Sequence, residues 1–282
     1  MAIILDGTRL SQKINTKIKN EILNLKSKPS LVAIQVGNNP ESNLYLKHKE
    51  KKAQEVGINF SLLKLEENIN EKDLIKEIFK LNSNKKIHGI MVQLPLPIQI
   101  DQNNISKSID PSKDVDGFHP LNKGLLDINK AELIPPTANG VIKLFDEYNI
   151  NLLGKVVTII GQGEIAGKPL SKLLIHRGAT IILCNKNTID LSYFTKQSDI
   201  VISAVGYKHL VKENFIKNGS IVVNIGLTRE EKLIFGDIEF EKIQHKTSYI
   251  TPITGGTGPM TVSLLLENTL KCYKLINNVK FK

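Results

Sequence analysis

Residues 155–169 read KVVTIIGQGEIAGKP. Six residues rich in β-branched side chains run straight into glycines at 161, 163 and 167, and a helical pattern follows over 167–177. That order predicts a strand, a tight turn and a helix whose N-terminal N–H groups face a phosphate, as at the start of a dinucleotide-binding βαβ unit. The spacing G-x-G-x-x-x-G is one residue longer than the common fingerprint, and glycines also serve ordinary turns; the strand before and helix after favour the nucleotide. The next strand, TIILC at 180–184, leads into Asn185-Lys186-Asn187. An acidic residue there would grip a ribose 2′-hydroxyl, whereas Lys186 attracts a 2′-phosphate. This points to NADP over NAD, unless Lys186 is one more solvated surface lysine.

Downstream, DIVISAV (199–205) and GSIVVNIG (219–226) read as later strands of the same sheet. Upstream, helix patterns at 8–26, 41–56 and 71–82 alternate with strand runs at 30–37, 60–66 and 87–94. Such alternation implies a parallel sheet covered on both faces. Pro95, Pro97 and the polar stretch to 117 break the pattern. A boundary is expected near PPTANG (135–140), with a helix at about 139–149 beyond it. At 282 residues two domains are the natural expectation. The last stretch, SLLLENTLKCYKLI, is an amphipathic helix long enough to pack back onto the first domain.

Composition narrows the function classes. No apolar run approaches bilayer length and the start lacks a signal-peptide pattern, so no membrane partner and a cytoplasmic location are expected. The formal charge is +10, yet only Arg9, Arg177 and Arg229 among the 38 basic residues are arginine, and the lysines are spread along the chain. A nucleic-acid face would cluster its cations, so nucleic acid is not the expected partner. Cys184 and Cys272 sit in unrelated contexts, the six histidines show no metal or triad spacing, and no metal site is expected.

Four segments carry candidate chemistry. In SNLYLKHKEKKA (42–53), Tyr45 and Lys49 are one turn apart, with Ala53 and Val56 continuing the same stripe. Lys49 either extends its ammonium to water or is held in a partly desolvated place where its pKa falls. MVQLPLP ends a strand with Gln93, whose amide both donates and accepts. SKDVDGFHP carries Asp114 and Asp116, a turn-like pair without the further acids a metal would want. TPITGGTGPMT is a glycine-rich loop running into the final helix.

Together, NNPESNLYLKHK, VQLPLP, KDVDGFHP, GQGEIAGKP and GGTGPMT resemble the bifunctional methylenetetrahydrofolate dehydrogenase/methenyltetrahydrofolate cyclohydrolase family over nearly the whole chain. The resemblance implies an α/β fold of two domains with a cleft between them. Residues 1–138, completed by a C-terminal helix at 264–282, would form the catalytic domain, and 139–263 an NADP-binding Rossmann domain. It further implies a homodimer acting on one-carbon derivatives of tetrahydrofolate. Lys49 would be the central catalytic residue, with Tyr45 against the folate. Gln93 would position Lys49 and the reacting carbon, and Asp116 would hold the pterin. Val92, Leu94 and the loop Thr254, Gly255, Gly256, Thr257, Gly258 and Pro259 would line the folate site. Gly161, Gln162, Gly163, Lys186 and Leu227 match positions around the cofactor.

The cofactor half departs from the family's usual pattern. Gly163 replaces a serine, Asn224-Ile225-Gly226 an Asp-Val-Gly, Thr254 to Gly258 a Pro-Gly-Gly-Val-Gly, and Thr137-Ala138 a Thr-Pro. Tyr45, Lys49, Gln93 and Asp116 are all present. The leading expectation is therefore the bifunctional enzyme. A cyclohydrolase with weak dehydrogenase activity, or a non-catalytic binder of the same fold, are the alternatives.

Overall fold

The structure, a computed structural model, describes residues 2–231 and 233–279. Its elements run β1 (Ile3–Ile4), α1 (Gly7–Leu23), β2 (Ser30–Val36), α2 (Pro40–Val56), β3 (Asn59–Leu65), α3 (Glu71–Ser83) and β4 (Gly89–Val92). There follow α4 (Gln102–Ser108), α5 (Pro120–Asp127), α6 (Pro136–Glu147), β5 (Val156–Ile160), α7 (Gly167–His176), β6 (Thr180–Cys184) and α8 (Leu191–Gln197). The chain ends with β7 (Ile200–Ser203), β8 (Ile221–Asn224), β9 (Leu227–Glu230), β10 (Leu233–Gly236), α9 (Phe240–Ile243), β11 (Tyr249–Ile250) and α10 (Thr257–Ile276).

Two compact units result: residues 13–136 with 262–282, and residues 1–12 with 137–261. The first contains a parallel three-stranded sheet in the order β3-β2-β4. β2 is apolar and buried over nearly its whole length because helices cover both its faces. Leu31 and Ala33 pack with Leu46 and Val56 of α2 and Leu266 and Leu270 of α10. Val32 and Ile34 pack with Leu74 and Ile78 of α3 and Ile105 of α4. α2 starts where Asn39 accepts the Ser42 N–H at 3.0 Å, with Pro40 in the first turn, and stops at Gly57, whose φ of 91° suits a residue without Cβ.

The second unit holds a six-stranded, all-parallel sheet in the order β1-β11-β8-β7-β5-β6. The chain leaves β5 for β6 on one side and then returns to β7 on the other. The crevice outside the carboxyl ends of β5 and β7 is therefore the switch point where a doubly wound sheet binds its ligand. β9 and β10 form a separate antiparallel hairpin.

The expected α/β class and parallel sheets are observed, with differences at the ends. Residues 1–12 group with the second unit and not the first, because Ile3 N–H bonds Ser248 O at 2.9 Å and β1 thereby extends the six-stranded sheet. α4 lies inside the stretch read as irregular. α10 begins at Thr257, within the segment read as loop, and ends at Ile276; residues 280–282 of the expected helix lie outside the described residues. No helix among the described residues is long and apolar enough to cross a membrane.

Candidate active site

In the first unit, chemistry gathers at the carboxyl end of β4. Met91 and Gln93 are two residues apart on an extended segment and so point to one face, the face under α2. Strand pairing continues past β4, since the Gln93 N–H donates to Ile34 O at 2.8 Å. Lys49 descends from α2 to this point: Nζ lies 3.0 Å from Gln93 Oε1 and 3.9 Å from Met91 Sδ. Gln93 Nε2 donates to Leu94 O at 2.7 Å, which turns the amide's oxygen toward the lysine.

Asp116 arrives from the segment beside β4. The Ile90 N–H donates to Lys113 O at 2.8 Å, and Ile90 pairs with Asp114 in parallel sense. Asp114 is fully buried and fixes the turn beyond it, accepting the His119 N–H at 2.8 Å and Asn122 Nδ2 at 2.9 Å. Gly117 makes that turn with φ 69°, and a Cβ there would crowd Pro135 at 3.0 Å.

Burial draws Lys49 below the ordinary lysine pKa, and the nearby Asp116 carboxylate opposes the change. Burial pushes Asp116 up to about 7; Lys49 opposes this and Asp114 adds to it. Amine and carboxyl are thus moved toward each other on the pH scale.

Tyr45 differs from its expected place on the core stripe. That stripe runs through Ser42, Leu46, Ala53 and Val56, so Tyr45 flanks it and is 52% exposed. Its ring is left free to meet a ligand. Val92 packs on the opposite face of the sheet from Lys49, and Leu94 shares with it a cavity of about 20 Å³ that also touches Asp114, Asp116 and Phe118. That volume holds about one water molecule.

The second unit carries the other predicted residues. Gly161 has φ 106°, and a Cβ there would lie 2.5 Å from Ala204 O at the end of β7. A Cβ on Gly167 would fall 1.8 Å from Gly161 O, so both positions need glycine for the turn to sit against the sheet. Gly163 is different: a Cβ there meets nothing within 4 Å. Gln162 donates to Leu183 O at 3.1 Å and so ties the turn to β6. No side chain caps α7; the Lys168 N–H donates to Gly163 O at 3.1 Å and Pro169 has no N–H, which leaves the Gly167 N–H to a ligand. Lys186 is exposed beyond β6 in a turn closed by Asn185 and Thr188. Leu227, 38% exposed, opens β9. Open space over Gly163, an uncapped helix and a cation beyond the second strand together fit a phosphorylated dinucleotide.

The segment Thr254, Gly255, Gly256, Thr257, Gly258 and Pro259 belongs to this second unit. Gly255 O accepts the Thr8 N–H at 2.9 Å, and Gly256 O occupies the place a Gly7 Cβ would need. Thr257 Oγ1 donates to Asn224 O at 3.1 Å. Asn224 uses both ends of its amide, donating to Gly226 O at 2.9 Å and accepting the Ile238 N–H at 3.2 Å. Sequence reading missed Met91 as a neighbour of Lys49 and missed Asp237 altogether. The strand spacing of Met91 and Gln93 was a signal for the first; no motif singles out the second.

Comparison with known proteins identifies both parts of the chain. Residues 5–116 match the catalytic domain of tetrahydrofolate dehydrogenase/cyclohydrolase, and residues 135–277 match its NAD(P)-binding domain. The chain is 48% identical to the bifunctional protein FolD of Aquifex aeolicus, covering 97% of this chain and 96% of that one. The crystal structure of the bifunctional FolD dehydrogenase/cyclohydrolase from Campylobacter jejuni superposes with a TM-score of 0.95 at 44% identity, covering 98% and 99% of the two chains. The FolD of Trypanosoma brucei, solved with NADP and an inhibitor, gives a TM-score of 0.93 at 33% identity over 99% of each chain. This chain belongs to the tetrahydrofolate dehydrogenase/cyclohydrolase family.

Proposed function

We infer that this protein oxidises 5,10-methylenetetrahydrofolate to 5,10-methenyltetrahydrofolate with NADP and hydrolyses the product to 10-formyltetrahydrofolate. The observation that carries the reading is the Lys49–Gln93 contact beside Asp116, in a chain that matches both domains of the family.

For the first step, NADP supplies the acceptor for the hydride that leaves the methylene carbon. This chain's residues contribute alignment: Tyr45 offers its ring to the folate, Asp116 hydrogen-bonds the pterin, and Gln93 keeps Lys49 in place. Val92, Leu94 and the segment 254–259 complete the folate contacts. Gly161, Gln162, Gly163 and Leu227 hold the dinucleotide, and Lys186 pairs with its 2′-phosphate.

For the second step, water adds to the cationic methenyl carbon and the bond from that carbon to N5 breaks. Of the two protons the water brings, one ends on N5 and the other is released. Lys49, whose pKa burial lowers, accepts the proton at Nζ as the water attacks and returns it as the ring opens. The cationic substrate lowers the amine's pKa further.

Steady-state assays of both steps, with NADP and NAD in parallel, test this reading. Both activities with a preference for NADP support it. Cyclohydrolase turnover without dehydrogenase turnover would favour the narrower enzyme that the departures at Gly163 and Asn224 allow. Loss of both would leave a binding protein. We read the assembly as a homodimer, supported by the open edge of β3 with Leu62 exposed, and light scattering of the purified protein checks it. The buried free thiols of Cys184 and Cys272 support a reducing, cytoplasmic setting.

A further inference from the structure

Asp237 is fully buried directly after β10, with no cation bonded to its carboxylate among the described residues. Four donors converge on it instead. Oδ2 accepts Ser203 Oγ at 2.7 Å and the Val205 N–H at 2.8 Å. Oδ1 accepts the Gly206 and Tyr207 N–H groups, each at 2.9 Å. Three successive backbone N–H groups aimed at one anion form a nest, a concavity that elsewhere receives a phosphate. Here the anion is internal.

The loop so held, 203–207, leaves the carboxyl end of β7 at the switch point. It lies against two of the positions assigned to the cofactor. Ala204 O stands 2.5 Å from where a Gly161 Cβ would be, and Leu227 O lies 3.4 Å from the Gly206 Cβ position. Gly226 is fitted to the same anion: a Cβ there would fall 2.2 Å from Asp237 Oδ2. Moving the carboxylate therefore moves the wall between Gly161 and Leu227.

We propose that Asp237 is a positioning residue for the dinucleotide, an internal anion that presets the 203–207 loop as one wall of the NADP site. This inference rests on the NADP reading above. It gives the hairpin of β9 and β10 a purpose, since Asp237 reaches the loop from the hairpin's far end. It also explains why a buried charge persists without a salt bridge: backbone dipoles and one hydroxyl solvate it.

The test compares the parent protein with Asp237→Asn and Asp237→Ala, measuring dehydrogenase KM and kcat for NADP and the cyclohydrolase rate on methenyltetrahydrofolate without NADP. An amide presents one acceptor where the nest offers donors to two. The KM for NADP should rise about tenfold or more, while the cyclohydrolase rate stays within about twofold. Formate added to Asp237→Ala should restore part of the lost affinity by refilling the nest. Should neither variant fold, Ser203→Ala removes one of the four donors and should raise that KM about threefold with the cyclohydrolase rate unchanged. A KM unchanged in the variants, or a cyclohydrolase rate falling in step with it, overturns the proposal. A parent protein with no NADP-dependent turnover would instead overturn the functional reading on which it rests.

Discussion

Lys49 Nζ and Gln93 Oε1 stand 3.0 Å apart, and the amide cannot rotate away without giving up its bond to Leu94 O. A neutral oxygen, and not a carboxylate, is therefore the lysine's closest oxygen partner. That choice leaves the burial of Lys49 free to lower its pKa. Gln93→Glu should hold Lys49 protonated, cut cyclohydrolase turnover at neutral pH and move the rising limb of its pH–rate profile to higher pH. Lys49→Ala should abolish that turnover while leaving NADP affinity, measured by titration calorimetry, unchanged.

Asp116 makes a prediction about stability. Its pKa is raised from 3.8 to about 7 in the fold, so its contribution is fully present below 3.8 and is lost as pH rises through about 7. Asp116→Asn carries no such loss. Thermal unfolding from about pH 4 to pH 8 should show the variant gaining on the parent as pH rises. A constant difference across that range would count against a protonated Asp116 in the fold.

The glycine turn separates two kinds of glycine. Gly163→Ser meets open space and should leave the unfolding free energy within about 0.5 kcal/mol of the parent, while lowering the KM for NADP by offering a phosphate one more donor. Gly167→Ala would press a methyl into Gly161 O and should lose soluble protein or dehydrogenase activity. Circular dichroism and the NADP KM, read together, check both.

Lys186 is exposed, so its substitution should spare the fold. Lys186→Asp should raise the KM for NADP far more than that for NAD, because the new charge repels only the 2′-phosphate. Equal losses for the two cofactors would remove Lys186 from phosphate recognition.

Lys113 is buried and donates to Leu81 O, Asn82 O and Asn84 O at 3.1, 2.6 and 2.9 Å, closing the last turn of α3. Lys113→Met keeps the stem and strands the carbonyls. It should cost about 2 kcal/mol in urea unfolding, with the activity of the remaining folded protein unchanged.

Much of this was legible in the residues themselves. The parallel sheets follow from runs such as SLVAIQV and KVVTII, whose unbroken apolar character needs cover on both faces. The turn glycines were visible because strand, glycines and helix are contiguous. Lys49 alone was ambiguous, since its Coulombic and hydrogen-bond partners lie more than forty residues away and only the fold brings Met91, Gln93 and Asp116 to it. Elements of two to four residues, such as β1 and β11, have too short a period to read. α10 begins earlier than its pattern suggests because Gly258 and Pro259 look like loop formers, although Pro is tolerated in the first turn of a helix. Asp237 left no trace, because an aspartate between a short apolar run and a stretch rich in charge, IEFEK, reads as surface until four donors are seen to surround it.

The polypeptide passes between its two units three times, at residues 12/13, 136/137 and 261/262. Leu265, Leu266, Leu270 and Cys272, near the end of the chain, belong to the same core as Leu31 and Met91 near its beginning. On a ribosome the half bearing Lys49 must wait, unfinished, until α10 has been made, whereas the six-stranded half has its last strand, β11, in hand sooner. The usual order of maturation, first-made domain first, is closed to this protein.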